Sequence, residues 1–123
     1  MVSAKILFDT CILIDYLNGT PQARTELERH DDRAISIITW MEVMAGTSEV
    51  DESPIRAFLL SFRVLPLTQD VAEQSFALRR QRKIKLPDAI IEATARVNDR
   101  ILMTRNTRDF PAEESGISIP YVL

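Results

Sequence analysis

The sequence predicts an α/β protein of three layers, with helices on both faces of a mainly parallel central sheet of four to five strands. Two observations carry this. Short aliphatic runs alternate with longer segments of helical periodicity, the pattern of a parallel sheet threaded through crossover helices. The first of these runs, Ile6-Leu7-Phe8 after Lys5, is continuously apolar, as in a central strand buried on both faces. With only three glycines in 123 residues, the connections are expected to be short. The length suits one domain over residues 1–123.

The elements follow in order. After the strand at 5–8, residues 11–18 read as a helix with Ile12, Leu13, Tyr16 and Leu17 as its apolar stripe and Gly19 as its stop. Pro21 opens a second helix to about His30, proline being favoured in a first turn. Ala34 to Ile38 is a second strand, and Thr39 to Ala45 a helix ended by Gly46. Ser53-Pro54 is expected to cap a helix through Phe62. Val64 to Leu67 is a short strand that Pro66 places at an edge or a strand end. Thr68 or Asp70 caps a helix to Arg82, and Leu86-Pro87-Asp88 begins another to Asn98. Ile101 to Thr104 is a strand, Asn106 to Phe110 a turn or short helix, and Ile117 to Ile119 a last strand.

Composition excludes several classes. Hydrophobic residues make up 46% and charged residues 27%, which rules out a disordered chain, a collagen-like repeat or a disulfide scaffold. One cysteine permits no internal disulfide and points to the cytoplasm. No apolar run approaches the ~20 residues of a membrane helix, and Asp9 interrupts the first apolar stretch, so neither a membrane span nor a signal peptide is expected. The net charge of −3 is uneven: residues 1–78 hold 6 Lys/Arg and 12 Asp/Glu (−6), residues 79–123 hold 9 and 6 (+3). The cations gather at Arg79, Arg80, Arg82, Lys83 and Lys85, which suits a polyanionic partner or, equally, a solvated helix end.

In parallel α/β sheets, ligands sit beyond the carboxyl ends of the strands. Four acids fall at such a strand end or at a helix start. Asp9 follows the first strand, Glu42 lies four residues after the second, Asp88 is in the first turn of a helix, and Asp109 lies five residues past the strand at 101–104. Converging carboxylates repel one another and lose hydration, so they call for a cation, and an all-oxygen set suits Mg²⁺ or Mn²⁺ rather than zinc. Each acid also has a local reading. Glu42 completes Thr39-x-x-Glu42, a capping-box pattern. Asp88 is favoured by the helix dipole. Asp109 suits a turn. Asp9 is the hardest to explain locally, because a carboxylate behind a buried strand is costly unless partnered. Asp15 and Glu92 are weaker candidates, Glu92 because it stands one helical turn after Asp88. Cys11 reads as a small buried thiol and His30, in a polar run, as solvated.

Four stretches together resemble the PIN-domain nucleases, and specifically the toxins of VapBC-type toxin–antitoxin pairs. They are Ile6-Leu7-Phe8-Asp9-Thr10-Cys11, Ile38-Thr39-Trp40-Met41-Glu42, Leu86-Pro87-Asp88-Ala89-Ile90-Ile91-Glu92-Ala93-Thr94-Ala95 and Leu102-Met103-Thr104-Arg105-Asn106-Thr107-Arg108-Asp109-Phe110. The resemblance implies metal-binding, catalytic acids at Asp9, Glu42, Asp88 and Asp109, with Thr10, Thr104 and Asn106 supporting them. Many PIN domains carry an acid where Asn106 stands, so Asp109 is the better acid here and Asn106 a neutral donor. The implied activity is Mg²⁺- or Mn²⁺-dependent hydrolysis of RNA by a toxin that a cognate antitoxin inhibits and that forms a homodimer. Arg79, Arg80, Arg82, Lys83, Lys85, Arg105 and Arg108 are then candidates for RNA phosphates. Trp40 and Tyr16 suit bases less well than they suit packing. The apolar faces at 11–18 and 54–62 are candidates for antitoxin or dimer contacts.

Rival readings are tested by position. A receiver domain needs an acid after the strand at 64–67 and a lysine after a later one, and neither is present. A haloacid-dehalogenase phosphatase needs an acid two residues beyond Asp9, where Cys11 stands. A non-catalytic PIN-fold module binding RNA or protein is the alternative that stays open.

Overall fold

The computed structural model describes residues 4–110 and 116–123. Among them the chain runs β1 (Ile6–Phe8), α1 (Thr10–Leu17), α2 (Pro21–Glu28), β2 (Arg33–Ser36), α3 (Ile37–Ala45), α4 (Glu52–Leu59), β3 (Arg63–Leu65), α5 (Gln69–Gln81), α6 (Leu86–Val97), β4 (Ile101–Met103) and β5 (Ile117–Ser118). The strands form one sheet in the order β3-β2-β1-β4-β5, every pairing parallel. The three-layer fold class is therefore observed, with β1 at its centre.

Strand periodicity divides the core. Successive side chains point to opposite faces, so Ile6 and Phe8 join one cluster and Leu7 the other, while Leu102 and Met103 divide in the same way. On the first face, Ile12 and Leu13 of α1, Ala23 and Leu27 of α2, Val43 of α3 and Leu59 of α4 pack over the sheet. On the second, Ala89, Ile91 and Ala95 of α6 cover it with Phe110. Val71 and Leu78 hold α5 against Ile90 and Ala93 of α6. At roughly 1.5–3 kcal/mol for each fully buried large aliphatic or aromatic side chain, these clusters are the main stabilising term.

Several element boundaries depart from expectation for visible reasons. The strand expected over 34–38 ends at Ser36, because the Ser36 hydroxyl accepts from the Ile38 amide at 3.0 Å and caps α3. Thr39 therefore lies inside that helix, and the capping-box reading of Glu42 is wrong. The helix expected from Ser53 begins at Glu52, with Asp51 at its cap position making no side-chain cap bond. Thr68 rather than Asp70 caps α5, accepting from the Val71 amide at 3.2 Å. Pro66 follows β3, which is an edge strand, as its missing donor requires. Gly19 ends α1 at φ +86°, a conformation that costs glycine little.

His30 is not solvated. Its side chain is mostly buried, 3.6 Å from Glu26 and edge-on to Phe8. Tyr16 stacks on Phe58 and Trp40 lies under the Arg56 guanidinium, so both aromatics serve packing. Among the described residues, no helix is long and apolar enough to cross a membrane.

Candidate active site

The sheet grows outward from β1 to β2 and β3, then resumes on the other side of β1 with β4. The order of the strands thus reverses between β1 and β4, and in such folds the crevice beyond that point takes the ligand. Asp9 and Thr104 stand there, each one residue past the register pair Phe8 and Met103. The sheet thus brings the two side chains together without any loop between them.

Asp9 is 4% exposed and closes β1 while capping α1. Its Oδ1 accepts from the Thr10 amide at 2.8 Å, and its Oδ2 accepts from the Thr104 hydroxyl at 2.7 Å and the Cys11 thiol at 3.4 Å. Thr104 in turn accepts from the Asn106 amide at 3.0 Å. Burial pushes the Asp9 carboxyl above the usual carboxylate range against these lowering bonds, and the negative charge of Glu42 adds to the rise. The same burial, with Asp9 beside it, pushes the Cys11 thiol up to about 11, which leaves it protonated and unreactive at neutral pH.

Glu42 comes from α3 and lies exposed at the rim of the site. Its Oε1 accepts from the Thr10 hydroxyl at 2.7 Å, and that hydroxyl is 2.9 Å from the buried Thr39 hydroxyl, which has a proton to return. Asp88 enters from the first turn of α6. Its carboxyl is pushed up to about 6, first by burial, then by the charges of Asp9 and Asp109, a hydrogen bond with Asp109, and the charge of Glu42. Asp109 is held by Asn106, whose amide nitrogen donates to Asp109 Oδ2 at 3.0 Å and whose Oδ1 accepts from the Asp109 backbone at 3.3 Å. All four predicted acids thus share one electrostatic neighbourhood, and Thr10, Thr104 and Asn106 each bond to one of them or to a group that does.

The donors are oxygen throughout, as Mg²⁺ or Mn²⁺ prefers. Among the described residues, no three acidic, histidine or cysteine side chains yet close around one point as an ion's ligands would. What the site displays instead is carboxylates near enough to repel one another: burial and the charges of Asp9, Asp109 and Glu42 hold the Asp88 carboxyl up at about 6, a cost that a cation's charge would relieve. On that ground the residues fit a divalent ion.

Two weaker candidates have other partners. Asp15 is buried against Arg105, whose Nη2 donates to Oδ1 at 2.8 Å, and against the Tyr121 hydroxyl at 2.8 Å. Burial would raise the Asp15 carboxyl, but these two donors overcome it and hold it low. Glu92, 1% exposed, is paired with Arg82 and, at 2.8 Å, with Arg96. Arg82 and Arg105 are accordingly engaged with carboxylates. Arg79, Arg80, Lys83, Lys85 and Arg108 are exposed, and a cleft of about 310 Å³ lined by Arg79, Lys83, Ile84 and Lys85 opens beside Asp109. Sequence reasoning did not single out Thr39, Arg96 or Tyr121. Thr39 was legible only by recognising Ser36 as the true cap, and Arg96 through its four-residue spacing from Glu92. No local signal joins Tyr121 to Asp15, 106 residues away.

A buried carboxylate at the strand-order reversal, with three more from separate elements within electrostatic reach of one another, marks an acidic centre on an α/β fold. The model of the PIN domain matches residues 6–112. Ribonuclease VapC10 of Mycobacterium tuberculosis is 33% identical over 117 residues, covering 89% of this chain and 88% of that protein. The chain belongs to the PIN domain family, among its VapC-type members. Its fold superposes on a chain of a toxin-antitoxin complex from Klebsiella pneumoniae with a TM-score of 0.91 and 47% identity, covering 97% of this chain and all of that one. The crystal structure of FitAcB from Neisseria gonorrhoeae is also similar, at a TM-score of 0.80 and 25% identity over 96% of this chain and 99% of that one.

Proposed function

We propose that this protein is a Mg²⁺- or Mn²⁺-dependent endoribonuclease, the toxin of a toxin–antitoxin pair, acting in the cytoplasm as a homodimer that a cognate antitoxin inhibits. The observation that carries the reading is the convergence of Asp9, Glu42, Asp88 and Asp109 at the strand-order reversal, felt in the raised Asp88 carboxyl. The similarity to ribonuclease VapC10 and to a chain of a toxin-antitoxin complex supports it. In this reading Asp9, Asp88, Glu42 and Asp109 would hold the ion, which when bound would supply positive charge against the scissile phosphate and lower the pKa of the attacking water.

The chain's own residues do the rest. Thr104 and the Thr10 amide favour the ionised form of Asp9 and fix it in one rotamer. Thr10 orients Glu42, and Asn106 orients Asp109. Glu42, exposed at the rim and oriented by Thr10, or Asp88 accepts the proton of the attacking water. The water oxygen bonds to phosphorus, the opposite P–O bond breaks, and the departing sugar oxygen takes up a proton from solvent water. The exposed cations hold flanking phosphates, offsetting the repulsion between an acidic centre and a polyanion.

The test is cleavage of single-stranded RNA with Mg²⁺ or Mn²⁺ and with EDTA, by the wild type and by Asp9→Asn, Glu42→Gln, Asp88→Asn and the triple variant. Cleavage that needs metal and is lost in each folded variant, together with lost growth inhibition on expression, is expected. A folded triple variant that still cleaves overturns the assignment. RNA binding that ignores metal, without cleavage, gives the fold to a non-catalytic binding module.

A further inference from the structure

The turn that carries Asp109 leaves the sheet through Arg105, whose side chain runs back to α1. Its guanidinium meets buried Asp15, Nη2 donating to Oδ1 at 2.8 Å and Nε donating to Oδ2. Asp15 Oδ2 also accepts from the Tyr121 hydroxyl at 2.8 Å. Two nitrogens of the planar fork are engaged, so the pair fixes a direction as well as a distance.

The same stretch is tied to α1 a second time, at the start of the helix. Thr104 donates to Asp9 Oδ2 at 2.7 Å, and the Arg105 backbone amide donates to the Cys11 sulfur. Asp9 caps α1 and Asp15 lies near its far end, about 9 Å along the axis at 1.5 Å per residue. One tie would leave the departing chain free to swing about it. Two ties that far apart set its angle against the helix.

From Arg105 the geometry passes directly to an acid. The Asn106 amide donates to the Thr104 hydroxyl at 3.0 Å, and the Asn106 side chain grips Asp109 at 3.0 and 3.3 Å. The Phe110 amide closes the turn on the Asn106 carbonyl at 3.2 Å, and the Phe110 ring is buried in the second core cluster. Asp109 itself hydrogen-bonds Asp88. Stability alone gives little reason for an ion pair under this turn, because a buried pair contributes little beyond apolar side chains of the same volume. What the fork supplies is a single arrangement.

We propose that Asp15 and Arg105 are positioning residues for the acidic centre: their forked pair sets the turn 105–110 against α1 and so keeps Asp109 within reach of Asp88. The proposal rests on the metal-dependent reading above and adds two residues that touch neither ion nor substrate. Tyr121 braces Asp15 and leaves the fork to Arg105.

Calorimetric titration of Mn²⁺ without RNA, and amide hydrogen exchange of the metal-free protein, test this. Asp15→Asn and Arg105→Lys are each expected to weaken Mn²⁺ binding about tenfold, the lower end for a lost outer partner of a metal ligand. Each should speed exchange over 105–110 while the amides of β1 and α6 keep their protection. Arg105→Lys keeps the charge and loses the fork, so a weakened site there is an effect of geometry rather than of field. Asp15→Leu combined with Arg105→Met replaces the pair by apolar groups, and should hold the melting temperature yet leave Mn²⁺ binding weak. Tyr121→Phe keeps the fork, and should lose stability while binding Mn²⁺ as the wild type does. Should Asp15→Asn fail to fold, Arg105→Lys and the apolar double variant decide. Unchanged Mn²⁺ affinity in these variants overturns the proposal. So does affinity that falls in step with melting temperature across the whole set, Tyr121→Phe included, which makes the pair a stabilising contact only. If the wild type binds no Mn²⁺, the metal-dependent reading falls as well; if it binds Mn²⁺ and the variants match it, the positioning role alone falls.

Discussion

Replacing Asp88 by Asn is expected to make the metal-free protein more stable and the metal-loaded protein relatively less so. The Asp88 carboxyl rises from 3.8 to about 6 on folding. Because the folded value is the higher, folding favours the protonated acid. That contribution is complete below about pH 4 and is lost as pH rises through about 6. At 1.36 kcal/mol per unit, a rise of about two units corresponds to about 3 kcal/mol of strain on the ionised site. The side chain is partly exposed, and solvent screening reduces this to about 1 kcal/mol. The asparagine side chain never ionises, so in EDTA at about pH 7.5 the variant should melt about 4 °C higher, the gap closing toward about pH 4. Saturating Mn²⁺ should reverse the order, since free ion at 100 times Kd stabilises the wild type by about 2.7 kcal/mol and the variant has lost a ligand. Differential scanning fluorimetry across pH, with EDTA or Mn²⁺, reads both effects. A variant that melts lower in EDTA at about pH 7.5, or a gap that ignores pH, would refute the reasoning. It would mean that Asp88 serves as a dipole partner at the start of α6, worth about 0.3–1 kcal/mol of the opposite sign.

Thr104→Val removes the hydroxyl that donates to Asp9 at 2.7 Å, and should weaken Mn²⁺ binding by about 10–100-fold in calorimetry while the fold persists. Glu92→Gln leaves Arg82 and Arg96 without their shared carboxylate and should cost about 3 kcal/mol in urea unfolding; a loss under about 0.5 kcal/mol would make the cluster mere surface. Tyr121→Phe deletes one donor to buried Asp15 and should cost about 1 kcal/mol by the same measurement, with no change in the metal requirement of cleavage.

Much of this was readable because it rests on short-range rules. The apolar run Ile6-Leu7-Phe8 dictates a strand buried on two faces, and the acid that follows it has no local reason to be there. Asp88 and Asp109 were placed by the helix start after Pro87 and by the strand at 101–103. What stayed hidden depends on which of several local bonds wins. Thr39 and Glu42 spell a capping box, yet Ser36 reaches the free amides first and leaves Glu42 to Thr10. The run Arg79 to Lys85 reads as uniform charge, because nothing in the letters says that the helix ends at Gln81 and that Arg82 then turns inward to Glu92. His30 looks polar by its neighbours but is packed against Phe8 from a different element. The bonds from Arg105 and Tyr121 to Asp15 span 90 and 106 residues, beyond any periodicity.

The pairing of Phe8 with Met103 has a practical consequence for transplanting this centre. Its first two residues need no designed loop: an aspartate and a threonine, each placed immediately after two neighbouring strands running the same way, will meet. A grafting effort on another sheet could adopt that pair as its fixed origin. The outlying acids would then be tuned on helix starts and a short loop, where length and composition can drift without disturbing the origin.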